Sequence, residues 1–321
     1  MPEQLCDVGR GVTLCYETFG DPADPTALLI MGLGTQMVAW HEHFCLQLAQ
    51  RGLHVVRFDN RDAGRSTHMS GRPPTIRQLL TRSRDAAHYT LFDMADDAAT
   101  LLSELELGPA HVIGASMGGM IAQSLAARRP HAVRSLTSIM SSTGSLRSGQ
   151  PALRVYPIFL RRAPQGREAF IAHMERVFAT IGSSSLPRDS GDIRALAALS
   201  YDRDHDPASA GRQLAAIIAA GDRTPELHRI GAPTLVIHGT ADRLVSPSGG
   251  RATARAIPGA KLLSIPGMGH DLPRAVWPTL TDAIAEHAAR ADRHAEQAPT
   301  ANGNGQHDPS LQTLPSSPSG R

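Results

Sequence analysis

The chain has 321 residues with 32 Lys+Arg against 30 Asp+Glu, a formal charge of +2 at pH 7, so it offers no strong field for a phosphate backbone or an anionic membrane. Hydrophobic residues make up 41%, enough for a sizeable core, while aromatics at 4% argue against a stacking surface for single-stranded nucleic acid. The first residues lack the basic-then-apolar order of a secretory signal, no apolar run reaches the length of a membrane span, and Cys6, Cys15 and Cys45 fit neither a zinc spacing nor a disulfide framework. These features lead us to expect a cytoplasmic protein with reduced thiols and no nucleic-acid or membrane partner; the oligomeric state stays open.

Residues 5–19 read as two short strands around Gly9-Arg10-Gly11, a hairpin on which Cys6 and Cys15 could face one another. The turn cluster Asp21-Pro22-Ala23-Asp24-Pro25 follows, then a buried strand over 27–31 and a flexible loop, Gly32-Leu33-Gly34. Apolar residues at Trp40, Phe44 and Leu48 have helical spacing within 40–51, and 53–58 is the next strand. Asp59, Arg61 and Asp62 read as loop architecture, with Gly64 allowing the tight path. An amphipathic helix spans 92–105, on which the pair Asp96-Asp97 reads as a solvated face. Strands follow at 112–115, 133–139, 233–239 and 261–265. This alternation predicts an α/β fold, a mostly parallel central sheet with helices on both faces. The rhythm breaks over 141–225, where helices are expected at 151–162, 167–181, 189–201 and 207–220 and no strand is convincing. The expected organisation is a core of 1–140 and 226–290, a helical cap inserted at 141–225 that lines a substrate pocket, and a Pro-, Gly-, Ser- and Asn-rich tail over 291–321 that is expected to be disordered.

The chemistry concentrates at Gly114-Ala115-Ser116-Met117-Gly118, a serine between two glycines where a strand turns sharply into a helix. This is the pattern of a nucleophile elbow: the turn holds the serine in a strained conformation, and residues two before and two after it must be small. A nucleophilic serine needs a base, and the base needs an orienting acid, in the order serine, acid, histidine. Asp242 and His270 stand in that order, each just past the C-terminal end of a strand, where open α/β sheets bind ligands. Alone, Asp242 would pass for a turn residue and His270 for one of 15 histidines; the ordered set of three is the signal. An oxyanion hole needs one N–H from the residue after the nucleophile, Met117, and one from the loop after an earlier strand, for which Leu33 is the candidate.

With these residues in view, the chain resembles the α/β-hydrolase family. The resemblance rests on Met31-Gly32-Leu33-Gly34, Asp59-Asn60-Arg61-Asp62-Ala63-Gly64-Arg65-Ser66, the elbow, Gly239-Thr240-Ala241-Asp242 and Gly269-His270, and spans residue 11 to about 290, weakest in the middle. Two departures from the commonest pattern stand out: Met31 where a histidine usually opens the oxyanion loop, and Asp62 in place of the first glycine of the second motif. Both look like the esterase branch that includes the aclacinomycin methylesterase. The resemblance implies a serine hydrolase that needs no cofactor or metal and cleaves a carboxylic ester of a small or medium-sized organic molecule. The same residues leave open a cofactor-free perhydrolase or haloperoxidase, a carbon–carbon bond hydrolase, and a ligand receptor built on a hydrolase scaffold. A serine at the elbow argues against the aspartate-dependent dehalogenases and epoxide hydrolases.

Overall fold

A computed structural model of the protein describes residues 2–159, 164, 166–187 and 190–297. Its strands are β1 (Gln4–Asp7), β2 (Thr13–Phe19), β3 (Thr26–Ile30), β4 (His54–Phe58), β5 (Ala110–Ala115), β6 (Val133–Ile139), β7 (Thr234–Gly239) and β8 (Lys261–Ile265). They form a single sheet in the order β1-β2-β4-β3-β5-β6-β7-β8. The β1–β2 and β2–β4 pairings are antiparallel and the rest parallel. The predicted mostly parallel sheet is therefore present.

Helices cover both faces: α1 (Glu42–Ala49), α2 (Ile76–Leu80), α3 (Leu91–Glu104), α4 (Met117–Arg128), α5 (Tyr156–Phe159), α6 (Arg167–Ile181), α7 (Ser190–Arg203), α8 (Ser209–Ala220), α9 (Thr224–Leu227), α10 (Pro247–Ala256) and α11 (Trp277–Gln297). Because strand side chains alternate between faces, one strand feeds two cores. Leu28 and Ile30 of β3 pack with Leu91 and Leu101 of α3 and Ile121 of α4. Ala27 and Leu29 pack on the other face with Phe44 and Leu48 of α1 and Leu280 and Ile284 of α11. β5 is buried along its whole length, whereas the edge strand β8 is mostly exposed.

Helices α5 to α9 lie in sequence between β6 and β7, and no strand occurs among the described residues of 141–225. The segment is tied to the loop after β4 by buried ion pairs. Arg203, at the end of α7, reaches Asp59 at 2.9 Å, and Arg212 of α8 reaches Asp62 at 2.5 and 2.9 Å. Asp62 has φ +62°, a left-handed backbone that favours glycine, and its carboxylate also accepts from Tyr89 Oη and the Met69 amide. The aspartate that replaces the family's usual glycine thus tolerates the turn and anchors the inserted helices.

Several sequence expectations need correction. Asp97 does not face solvent: it is 1% exposed and accepts a bidentate pair from Arg61 at 2.6 Å on each oxygen, while Asp96 meets Arg129 near the surface. Arg61 points inward from the loop after β4, which sequence periodicity on the helix did not register. Cys6 and Cys15 are not cross-strand partners, since Leu5 faces Cys15 and Cys6 faces Leu14, and all three cysteines are free. The tail does not begin at 291: α11 runs on to Gln297, with Ala291 buried and Asp292 paired with Arg134 at 3.2 Å. Residues 298–321 lie outside the described residues, as does part of the helix expected over 151–162.

Candidate active site

β5 ends at Ala115, α4 begins at Met117, and Ser116 makes the turn between them. Its φ of 57° and ψ of −118° put a non-glycine residue in a sparsely populated region, a strain of about 1–3 kcal/mol that the surroundings must hold. They do so through small neighbours and backbone bonds. A Cβ on Gly114 would lie 2.1 Å from the Gly118 carbonyl oxygen, and one on Gly118 would lie 2.1 Å from that of Ile30. The Ser116 amide donates to the Ile139 carbonyl at 2.9 Å, which pins the turn to β6.

The loops after β7 and β8 bring Asp242 and His270 to this serine. His270 Nε2 lies 2.9 Å from Ser116 Oγ, and His270 Nδ1 lies 2.8 Å from Asp242 Oδ2. Asp242 is 4% exposed, and its Oδ1 accepts from the Leu244 and Val245 amides at 2.9 Å each. Burial by itself would raise the Asp242 pKa, but the charge of His270 and hydrogen bonds from His238 and His270 outweigh it and hold the carboxyl at about 2. The carboxylate is therefore ionised throughout the neutral range and can accept from the imidazole. The structure brings all three predicted residues together in the predicted order.

The oxyanion candidates lie on two sides of the same serine. Met117 supplies the first amide of α4, which has no acceptor four residues back within its own helix. Gly32 approaches so closely that a Cβ there would lie 3.1 Å from Ser116 Cβ, and Leu33 follows it along the cavity wall. Asn60 Nδ2 donates to the Met31 carbonyl at 3.0 Å, joining this loop to the one after β4.

Ser116 and His270 open into a cavity of about 1540 Å³. The core contributes Met31, Met120 and Met140 to its wall, and α6 contributes Phe170, Met174 and Val177. The inserted helices thus form one side of the cavity above the strand ends. Away from the serine, Asp62, His68 and Asp206 hold ligand atoms within 4.8 Å of one another. Arg212 already bonds both carboxylates and offsets part of their charge.

Sequence reasoning missed the residues that hold the site. His238 Nε2 donates to the Val245 carbonyl at 2.9 Å and lies 3.4 Å from Asp242 Oδ2, backing the acid from within β7. Ser183 bonds to Gly269 and Asp271 on either side of His270, and Gln213 bonds to Gly34 beside Leu33. A polar residue at an otherwise apolar position in β7 was the available signal for His238. For the others no local pattern exists.

Comparison with known proteins fits this geometry. A family model described as the alpha/beta hydrolase fold matches residues 25–273, and the chain belongs to that family. It is 30% identical over 302 residues to a rhodomycin D methylesterase, DauP, of Streptomyces sp. (strain C5), covering 87% of this chain and 96% of the relative. It is also 28% identical over 271 residues to a putative non-heme bromoperoxidase, BpoC, of Mycobacterium tuberculosis, covering 81% of this chain and 91% of that protein. Among solved structures, an enol-lactonase from Burkholderia xenovorans LB400 superposes with a TM-score of 0.67 at 23% identity, covering 91% of this chain and all of that one, which supports the fold. The family and its methylesterase members support assigning the chain to the carboxylic ester hydrolases.

Proposed function

We propose that this α/β hydrolase is a serine esterase in which Ser116, His270 and Asp242 act as a catalytic triad. The observation that carries the reading is the unbroken chain of contacts from Asp242 through His270 to Ser116 at the floor of an apolar cavity. His270 Nε2 takes the Ser116 proton as Oγ attacks the ester carbonyl, and then gives it to the leaving alcohol. Asp242 fixes the tautomer with Nδ1 protonated and stabilises the imidazolium. The amides of Met117 and Leu33 stabilise the tetrahedral oxyanion. Water, activated by the same imidazole, then releases the acid from the acyl-enzyme. No cofactor enters these steps.

The cavity exceeds the roughly 300–1,000 Å³ common for small-ligand sites, which favours an ester with a bulky apolar part. The inserted segment over 141–225 acts as the cap that recognises that part. A panel of esters graded in acyl and alcohol size, assayed with and without hydrogen peroxide, tests the reading. Hydrolysis of the bulkier apolar esters, lost in Ser116→Ala, is the expected result. Peroxide as the preferred acyl acceptor would point to the perhydrolase alternative raised by the bromoperoxidase relative. Tight binding of the panel without turnover would make the protein a receptor.

A further inference from the structure

The inserted segment touches both loops that the proposed mechanism depends on, and it does so through hydrogen bonds made by two fully buried side chains, Ser183 and Gln213. The first contact is at the base. The chain leaving α6, Ile181-Gly182-Ser183, runs against Gly269-His270-Asp271 so closely that a Cβ on Gly269 would lie 2.4 Å from the Gly182 carbonyl carbon. The His270 amide donates to the Ile181 carbonyl at 2.9 Å, and the Gly269 amide donates to Ser183 Oγ at 2.8 Å. Ser183 Oγ in turn donates to Asp271 Oδ1 at 2.5 Å, and the Ser183 amide donates to the same oxygen at 2.8 Å. Three successive residues centred on His270 are thereby bonded to the inserted segment. Ser183 is fully buried, and its bond from the Gly269 amide is shielded from water, while Asp271 is half-buried at the cavity wall.

The second contact is at the oxyanion loop. Gln213 of α8 is fully buried, accepts from the Gly34 amide at 2.8 Å through Oε1, and donates to the Arg61 carbonyl at 2.9 Å through Nε2. Gly34 has φ +64°, and a Cβ there would lie 3.1 Å from Ala210 Cβ, so the loop is packed against α8 at that point. The Gly34 amide lies one peptide unit beyond the Leu33 amide, the proposed oxyanion donor, and the two units meet at Leu33 Cα, so one side chain fixes the backbone next to that donor.

We infer that Ser183 and Gln213 are positioning residues for the ester-hydrolysing site, so that the inserted segment sets the geometry of the base and of the oxyanion donor in addition to walling the cavity. The inference rests on the esterase reading above. It differs from a cap that only selects substrates, because the effect falls on chemistry with every ester, including one too small to touch α6. A displacement of about 1 Å in such a group costs up to about 100-fold in rate.

The test measures kcat and KM for p-nitrophenyl acetate with Ser183→Ala and Gln213→Ala, each rate divided by the fraction of enzyme that a fluorophosphonate finally labels, beside Ser116→Ala, whose rate is taken per folded protein. Expected is a fall in kcat of about 10- to 100-fold for Ser183→Ala and Gln213→Ala with KM little changed. Ser183→Thr and Ser183→Val form a pair of equal shape that differ in the hydroxyl, and the threonine variant should recover most of the rate that the valine variant loses. This pair also separates the hydroxyl from any general loss of folding. Labelled, folded Ser183→Ala and Gln213→Ala enzymes with kcat within twofold of wild type would overturn the inference, as would equal rates for the threonine and valine variants. If Ser116→Ala keeps its activity, the esterase reading itself fails; if it is dead while the other variants run at full rate, only the positioning role fails.

Discussion

The core and the inserted segment are held in place by different physics. In the core, β5 is flanked by parallel strands on both sides, with backbone ladders from His111 to Ala115 and apolar residues filling both faces. Its position is fixed many times over, which is what lets it hold Ser116 at a strained φ of 57°. The inserted segment has no ladder to the sheet among the described residues. It is fastened mainly at separate points: Arg203 on Asp59, Arg212 on Asp62, Gln213 on Gly34, Ser183 on Gly269, the Ile181 carbonyl under the His270 amide, and Ala216 packed in the core. The proposed nucleophile thus sits on the over-determined region, while the proposed base and oxyanion loop depend in part on the sparsely fastened one. Damage to the core should remove the fold or all activity, and damage to the fastenings should leave a folded protein with a misaligned site.

The largest expected effects lie in the core's chemistry. Ser116→Ala should cut ester turnover by about 10⁶-fold, the scale seen when the serine of a protease triad is removed. Asp242→Asn, which offers the imidazole a donor where it needs an acceptor, should cost about 10⁴-fold in kcat on the same analogy. Ser116→Ala should keep a near-normal melting temperature and Asp242→Asn should melt lower, having lost the stability its depressed carboxyl contributes, so steady-state kinetics per folded enzyme beside a thermal melt checks them. A carboxylate elsewhere whose loss matters more than that of Asp242 would replace the acid and leave the reaction class intact.

Next come the ion pairs that fasten the insertion. Arg212→Ala leaves the carboxylate of Asp62 buried without its cation, and breaking a buried pair from one side costs about 3–5 kcal/mol. Chemical denaturation should show that loss, and the ester preference should broaden as α8 loosens. Unchanged stability would mean that Tyr89 and the Met69 amide suffice to hold Asp62.

A smaller, pH-dependent effect lies away from the site. Burial pushes the His287 imidazole down to about 4, only partly offset by hydrogen bonds to the Pro233 and Leu136 carbonyls. Its folded pKa lies below the unfolded value of about 6.5, so the unfolded state binds the proton more readily and stability is lost as pH falls from about 6.5 towards 4. The Asp242 carboxyl, held at about 2, contributes stability above its unfolded value and loses it only as pH falls towards 2, a separate and more acid window. His287→Gln should flatten the melting-temperature profile between pH 6.5 and 4 and leave the acid limb in place. The smallest effect is expected at the end of the chain. Removing residues 298–321, which carry no core-forming pattern, should change stability by less than about 0.5 kcal/mol, whereas removal from 291 onward strips the buried Ala291 and the Asp292–Arg134 pair from α11 and should cost more.

The same contrast explains what the sequence made legible. Ser116, Asp242, His270, Leu33 and Met117 stand in short local patterns: a glycine pair around a serine, and loops just past apolar strands. Such patterns work because the sheet forces the C-terminal ends of its strands to one edge. The alternation of strands and helices carried the topology for the same reason. What escaped was pairing at a distance. Arg212 meets Asp62 across 150 residues, and nothing near either one in sequence marks the other. Asp97 sits on a helix whose polar residues face water on average, and only the inward path of Arg61 makes it a buried partner. The tail boundary was set too early because Ala-, Arg- and His-rich sequence reads as the end of a core, although Ala291 is still buried.

Labelling with a fluorophosphonate followed by peptide mapping tests the central claim, that Ser116 is the activated nucleophile of this chain, most directly. The account predicts one adduct per chain, on the peptide containing Ser116, formed far more slowly when His270 is replaced by alanine and absent in Ser116→Ala. An adduct on another residue, or undiminished labelling and turnover in Ser116→Ala, would contradict it.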